Sequence, residues 1–350
     1  MNKKLIWAAW GNLNIDDKPY RNSYSKVAYR FEFPVDRFNL LNTLELDCEN
    51  IVKAPIYNLS NITQDHRDRF FDAIEQTTDE LFRIAEDRII YIAYSGGVDS
   101  TLVLCAIRQH PKYKDKLEQG QIKIVLNSFS IEEYPRFFYN TILPEIPFEF
   151  IDYEKIMADE NAFLVTGEMG DHITTSSDII NFINNDINLD FNSHWTNLIP
   201  YVKSIDGSDF FLEMLYGIQK KSFFEISSVN QLMWWYSQCF VYQAILVNPY
   251  IWSSLNAIDT LPTDQKVYRF FYSDIINTFS YEYISTNPSI NSYEQGKKWF
   301  KEYIVNYTND DSYYNKIKIF SQRHSLRFLN KSQIYLQDGK FSALLTNEKL

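Results

Sequence analysis

The stretch IIYIAYSGGVDSTLVLCAI, residues 89–107, decides the fold. It opens as a nearly unbroken apolar run rich in β-branched and aromatic residues, the composition of a buried strand. It closes in STLVLCAIRQH, whose apolar spacing predicts a helix ending before Pro111. Between the two lies Ser95-Gly96-Gly97-Val98-Asp99-Ser100. Only 10 of the 350 residues are glycine, so a pair set between strand and helix marks a tight turn that the backbone requires.

Upstream, TQDHRDRFFDAIEQTTDELFRIAEDR predicts a helix from about residue 63. Phe70, Phe71, Ile74, Leu81, Phe82 and Ile84 form its apolar face and Thr63 its N-cap. Downstream, IKIVLNSF predicts a second strand from Ile122, and a helix over Glu132–Leu143 follows with Pro135 in its first turn. FEFID (148–152) and AFLVTG (162–167) predict a third and a fourth strand. Strands alternating with helices predict an α/β fold, a parallel sheet wrapped by helices.

The flanks have a different character. Residues 1–62 lean towards β structure, with KLIWAAW and KVAYRFEF rich in aromatic and β-branched residues and Pro34 closing the second run. Residues 177–305 contain long aromatic-rich segments such as FFEISSVNQLMWWYSQCFVYQAILV and read as mostly helical, covering one end of the sheet. The aromatics of 210–300 would then line a substrate pocket, with most of them simply core. In the 306–350 extension, Asp338-Gly339 between alternating residues signals a type I′ hairpin. The chain thus divides into 1–62, 63–176, 177–305 and 306–350.

Composition narrows the function classes. Apolar residues at 45% and aromatics at 17% describe a folded globular chain. A net charge of −11 argues against a general nucleic-acid binder, because phosphate contacts need a positive field. A local basic run, KIKIFSQRHSLRFLNK at 316–331, carries Lys316, Lys318, Arg323, Arg327 and Lys331, and reads either as a binding strip or as a solvated surface segment. Cys48, Cys105 and Cys239 lie far apart with no CxxC pair, which predicts buried thiols in a reducing cytoplasm rather than a disulfide framework or a zinc site. The apolar run near the N-terminus is too short for a signal peptide, and no stretch reaches the roughly 18 uncharged apolar residues of a membrane helix. The expectation is a soluble, cytoplasmic protein.

Four of the ten glycines fall just after predicted strands: Gly96 and Gly97, then Gly167 and Gly170. In open α/β sheets ligands bind beyond the carboxyl ends of the strands, which predicts a shared rim. At SGGVDS, two glycines let bare N–H groups approach an anion, and the following helix points its positive end at the same place. Ser95 and Ser100 add hydroxyl donors, so the loop suits phosphate or pyrophosphate. Asp99 is either the helix N-cap or a carboxylate that faces the phosphates across Mg²⁺. Neither a Walker A lysine nor a GxGxxG spacing is present.

As a strand–loop–helix unit, SGGVDS resembles the SGGxDS pyrophosphate loop of the PP-loop ATP pyrophosphatase superfamily, whose sheet is of the adenine-nucleotide α-hydrolase-like (HUP) type. The second site, FLVTGEMGDHI, resembles the S-G-E-G-x-D-E segment in the synthetase domain of asparagine synthetase and β-lactam synthetase. The resemblance spans residues 65–175. It implies ATP and Mg²⁺ as cofactors, with the metal on Asp99 and Asp171. Nucleotide contacts are implied for Ser95, Gly96, Gly97, Val98, Asp99, Ser100, Thr166 and Gly167, and Tyr94 and Ser128 complete the candidate set. Glu168 takes the place of the family's glutamate. Met169 stands where the family has glycine, Gly170 at its variable position, and His172 where a second acid usually lies. His172 is either a loop histidine without a role or, when protonated, a contact for substrate or phosphate. The family's catalytic lysine has its nearest counterpart in SINSYEQGKKWF, at Lys297 or Lys298, with Lys266 behind them.

The resemblance implies an amide-forming ligase that releases AMP and pyrophosphate. A substrate carboxylate attacks the α-phosphorus, and ammonia or an amine then displaces AMP. Position 2 is Asn2, and only some ninety residues precede the loop, so the N-terminal glutaminase domain of glutamine-using relatives is not expected. Ammonia would then come from solution or a separate glutaminase, or the amine from a small molecule, carrier or peptide. Two alternatives stand beside this reading. One is an adenylating enzyme that modifies a nucleobase or tRNA, and the other is a non-catalytic nucleotide-binding module.

Overall fold

The computed structural model describes residues 65–176, 189–203, 208–241, 266–286, 288–290 and 293–318, together with strand segments nearer the two termini. The chain forms two compact units. One takes Met1–Phe70, Met169–Thr263 and Phe271–Lys297, and the other takes Phe71–Glu168, Asp264–Phe270 and Lys298–Leu350. We call them the helical unit and the sheet unit. Near the N-terminus, β1 (Leu5–Ala8) pairs antiparallel with β2 (Asn12–Ile15), which pairs with β3 (Lys18–Pro19). KVAYRFEF, Cys48, Thr63 and most of the basic run at 316–331 lie outside the described residues.

Helix α1 (His66–Ala85) carries Phe70, Ile74, Leu81 and Phe82 on a buried face, as its spacing predicts. Next comes β4 (Ile89–Tyr94), in which Ile90, Tyr91, Ile92 and Tyr94 are all buried. A strand buried on both faces has no reason to alternate, and this one does not. Helix α2 (Val98–Gln109) is buried continuously from Ser100 to Ile107, so it too shows no polar face. Then follow α3 (Tyr113–Glu118), β5 (Ile122–Leu126) and α4 (Ser128–Glu133).

The helix expected at Glu132–Leu143 is not continuous. It starts earlier, at an Asn127–Ser130 capping box, and breaks at Tyr134 because Pro135 cannot extend the preceding turn. A short turn over Pro135–Phe137 and a π-helical turn over Phe138–Ile142 follow instead. Strand β6 (Phe148–Phe150), helix α5 (Tyr153–Ala158) and strand β7 (Ala162–Thr166) come next.

The helical unit contains α6 (Ser208–Lys220) and α7 (Val229–Tyr236). Its core is aromatic: Trp234 and Trp235 are fully buried, and each indole N–H is satisfied, by Ser280 Oγ and by the Ile218 carbonyl, both at 2.9 Å. Between its segments runs a strand that the sequence does not announce, β8 (Val267–Arg269), in the sheet unit. Helix α8 (Asp274–Ser285) belongs again to the helical unit, and α9 (Lys298–Thr308) packs on α2 in the sheet unit. Strands β9 (Ser332–Gln337) and β10 (Lys340–Leu345) pair antiparallel with Gln337 opposite Lys340, leaving two residues between, as a hairpin at Asp338-Gly339 requires.

The central sheet has the order β6-β5-β4-β7-β8, and every pair in it is parallel. The fold is α/β. With all strands parallel, the residues following β4, β5, β7 and β8 emerge along one edge of the sheet. Among the described residues, no helix is long and apolar enough to cross a membrane.

Candidate functional site

The turn after β4 divides its work between two unlike glycines. Gly96 has φ +76°, a left-handed conformation that suits glycine. A Cβ there would overlap the Ser130 carbonyl oxygen and lie 2.7 Å from Glu133 Cβ, so the turn rests directly on α4. Gly97 is extended, with φ −71° and ψ 168°, and it, rather than Asp99, is the N-cap of α2. Glycine has no side chain to cap with, so the first-turn amides precede the first intrahelical bond, Thr101 N–H to the Gly97 carbonyl at 3.0 Å, with no side-chain cap.

Ser100 Oγ accepts from Ser95 N–H at 3.1 Å and lies 3.0 Å from Ser95 Oγ, which closes the loop on itself. Thr101 Oγ1 donates to the Gly97 carbonyl at 2.8 Å and turns that oxygen into the helix. Asp99 sits in the first turn, where a carboxylate favours the helix dipole. Tyr94, the last residue of β4, is buried beneath the turn.

The second glycine site meets the first. A Cβ on Gly167 would lie 3.0 Å from Ser100 N and 3.2 Å from the Asp99 carbonyl carbon, so the end of β7 runs against the backbone of the loop. Thr166 Oγ1 donates to Glu168 Oε2 at 3.2 Å, and the Glu168 carboxylate together with burial raises the pKa of Tyr153, burial being the larger cause. After β5, Ser128 is buried and its Oγ has no hydrogen-bond partner among the described residues. Thr166 is opposite Arg269 in the register of β7 and β8, which sets a buried arginine level with Thr166 at the same edge.

The chain enters the helical unit at Met169, so the segment GEMGDH is shared between the units. Met169 has φ +73°, a left-handed conformation that is uncommon for a residue with a side chain. Asp171 Oδ1 pairs with Lys297 Nζ at 3.0 Å, and the lysine is buried while the aspartate is partly exposed. Gly296 makes this possible: its carbonyl accepts from Thr174 Oγ1 at 2.5 Å, and a Cβ would crowd the side chains of Thr174 and Thr175. His172 is buried, with Nδ1 at 3.2 Å from Ser176 Oγ, which lies 2.5 Å from Ser237 Oγ. Ser237 in turn donates to the Met233 carbonyl at 3.1 Å. This chain ties the 3₁₀ turn Gly170–His172 to α7 and gives His172 a packing role in that unit.

The candidate lysines separate. Lys297 joins Asp171, and Lys298 is exposed at the start of α9. Lys266 precedes β8 and donates to the carbonyls of Met157 and Asp159 at 2.9 and 3.2 Å, at the opposite end of the parallel sheet from the glycine loop. A catalytic role at that loop does not fit this placement. Arg269 and Glu133 were not singled out from the sequence. The first ends a strand of only three residues, and the second acts through a partner 183 residues away.

No known family model, curated protein or solved structure matches the chain. Among the described residues, no group of three or more His, Cys, Asp or Glu side chains is arranged to hold a metal ion. Two carboxylates, Asp99 and Asp171, are the donors that the sequence offers, and carboxylate oxygens suit Mg²⁺, which commonly uses one or two of them plus substrate phosphates. The backbone cradle at Gly96 and Gly97 and the buried Ser128 hydroxyl fit a phosphorylated ligand at the sheet edge.

Proposed function

We propose that the chain is an ATP-dependent ligase with a PP-loop (HUP-type) sheet, resembling the synthetase domain of asparagine synthetase, that adenylates a substrate carboxylate and transfers the acyl group to ammonia or an amine. The observation that carries this reading is the start of α2. A twelve-residue helix begins on a glycine without a side-chain cap, behind a left-handed glycine, at the carboxyl edge of a parallel sheet.

Such a loop places amides and a helix dipole where negative charge grows when the bond between the α- and β-phosphates breaks, and this charge stabilisation is the main task in the step. Ser95 and Ser100 hold the loop in shape and offer hydroxyls to the pyrophosphate. Thr166, Gly167 and Ser128 border the same edge and supply contacts for the nucleotide. Asp99 and Asp171 would hold Mg²⁺, which supplies positive charge on the phosphates. Lys297, held against Asp171, is the lysine we assign to acyl transfer, and Glu168, oriented by Thr166, is its candidate acid or base.

The test is pyrophosphate release from Mg²⁺-ATP with a panel of carboxylic acids and amines, run with wild type and Asp99→Ala. The reading expects release with at least one acid, dependence on that acid, and loss in the variant. ATP binding without release under any pairing would make the chain a nucleotide-binding module instead.

A further inference from the structure

The six residues of α4 form the floor of the glycine turn, since the Ser130 carbonyl oxygen and Glu133 Cβ are what a Gly96 side chain would strike. A helix this short does not hold itself in place, so its position depends on its partners. At one end is the Asn127–Ser130 capping box. At the other, Glu133 is buried and pairs with Lys316 at 2.5 Å. The Lys316 ammonium also lies 5.8 Å from the Tyr134 ring centroid and 5.7 Å from that of Tyr313.

The next residues repeat the connection. Tyr134 Oη donates to Asp310 Oδ2 at 2.9 Å, Arg136 Nη1 to Asp310 Oδ1 at 2.6 Å, and the Tyr134 and Tyr313 rings are 4.6 Å apart. The segment itself is tied back to α9, which packs on α2, by Lys301 Nζ donating to the Lys316 carbonyl at 3.0 Å. Residues 310–316 therefore clasp the floor of the turn from outside, and all of these groups belong to the sheet unit.

We infer that Lys316, acting through Glu133, is a positioning residue that holds α4 under Gly96 and so keeps the turn in the left-handed form that presents its amides to an anion. The inference deepens the proposed function and rests on it only for the identity of the anion. Loss of the Lys316 ammonium removes the charge-assisted contact that fixes the buried Glu133 carboxylate at the end of α4, and a shift of that carboxylate shifts the floor. The same logic applies to Glu133, because Lys316 would lose the group that fixes its place.

The experiment is hydrogen exchange of peptides covering residues 95–101, together with the Mg²⁺-ATP dissociation constant, for wild type, Lys316→Met, Glu133→Gln, Lys316→Arg and the exposed control Lys318→Met. Lys316→Met and Glu133→Gln should both speed exchange in the loop and weaken ATP by about 5- to 150-fold, the usual range for a coupling between sites. Lys316→Arg should recover most of both effects, and Lys318→Met should change neither. Unchanged loop exchange in Lys316→Met and Glu133→Gln would overturn the inference. So would tighter ATP binding in Glu133→Gln, which would mean that Glu133 withholds Lys316 from the phosphates instead of positioning the turn. If wild type does not bind ATP, the proposed function fails, yet loop exchange still decides whether Lys316 positions the turn.

Discussion

The loop after β4 and the segment after β7 are both glycine turns at strand ends, and they solve the same backbone problem differently. In the first, the left-handed position is Gly96 and the residue behind it caps α2 without a side chain. In the second, the left-handed position is Met169, buried to 3% exposure, and the residues that follow are committed: Asp171 to Lys297 and His172 to Ser176. The contrast teaches that a helix can start on glycine with no side-chain cap, the arrangement that the proposed phosphate contact needs. A turn whose following residues enter side-chain contacts carries a left-handed residue other than glycine at a cost in strain.

Substitutions test how far this contrast goes, and the largest effect belongs to Gly96. Gly96→Ala combines an unfavourable φ with overlap against the Ser130 carbonyl and Glu133, and should cost about 2–4 kcal/mol in urea denaturation. Its neighbour makes the sharper point. Among the described residues, a Cβ at Gly97 would meet only Ser95 Oγ, at 3.3 Å, so Gly97→Ala should stay within about 1 kcal/mol of wild type while still weakening nucleotide binding. Equal losses of stability at the two glycines would break the division of labour argued here.

Gly167→Ala comes next, at about 1–3 kcal/mol, because its Cβ would press on the Ser100 and Asp99 backbone, which cannot swing aside as a side-chain tip can. The accompanying sign should be faster hydrogen exchange in residues 95–101. At Met169 two effects oppose each other. Met169→Gly relieves about 1 kcal/mol of left-handed strain and gives up a buried thioether worth about 2–4 kcal/mol. A net loss near 1–3 kcal/mol follows; a gain in stability would mean that the strain outweighs the packing, and the comparison with Gly96 would lose its basis.

What was legible in the sequence was local. The apolar run into Tyr94, the glycines and the helical spacing beyond them lie within nineteen residues, and each signals its own conformation. The strand starts at Ile122, Phe148 and Ala162 were readable for the same reason. Strand β8 was hidden because three residues show no period, and because its partner Leu164 lies about a hundred positions upstream. The break at Tyr134 was readable in principle, since Asn127 and Ser130 have the spacing of a capping box and Pro135 follows. The pairing of Glu133 with Lys316 was not, as charge alone does not reveal which of the 34 lysines and arginines a buried glutamate meets. Within the candidate site, SGGVDS stands out by its glycine pair after a predicted strand and Thr166–Gly167 by the family resemblance, whereas the separation of Lys266 from Lys297 shows only in the sheet direction and the Asp171 contact.

The central claim is that the loop from Ser95 to Ser100 receives the phosphates of ATP. Titration calorimetry of the full chain with Mg²⁺-ATP and with Mg²⁺-pyrophosphate, in wild type and in Gly97→Ala, tests it most directly. The account predicts saturable binding of both ligands by wild type and weakened binding of both by the variant at nearly unchanged thermal stability. Absence of binding in wild type, or equal affinities in the two proteins, would contradict it.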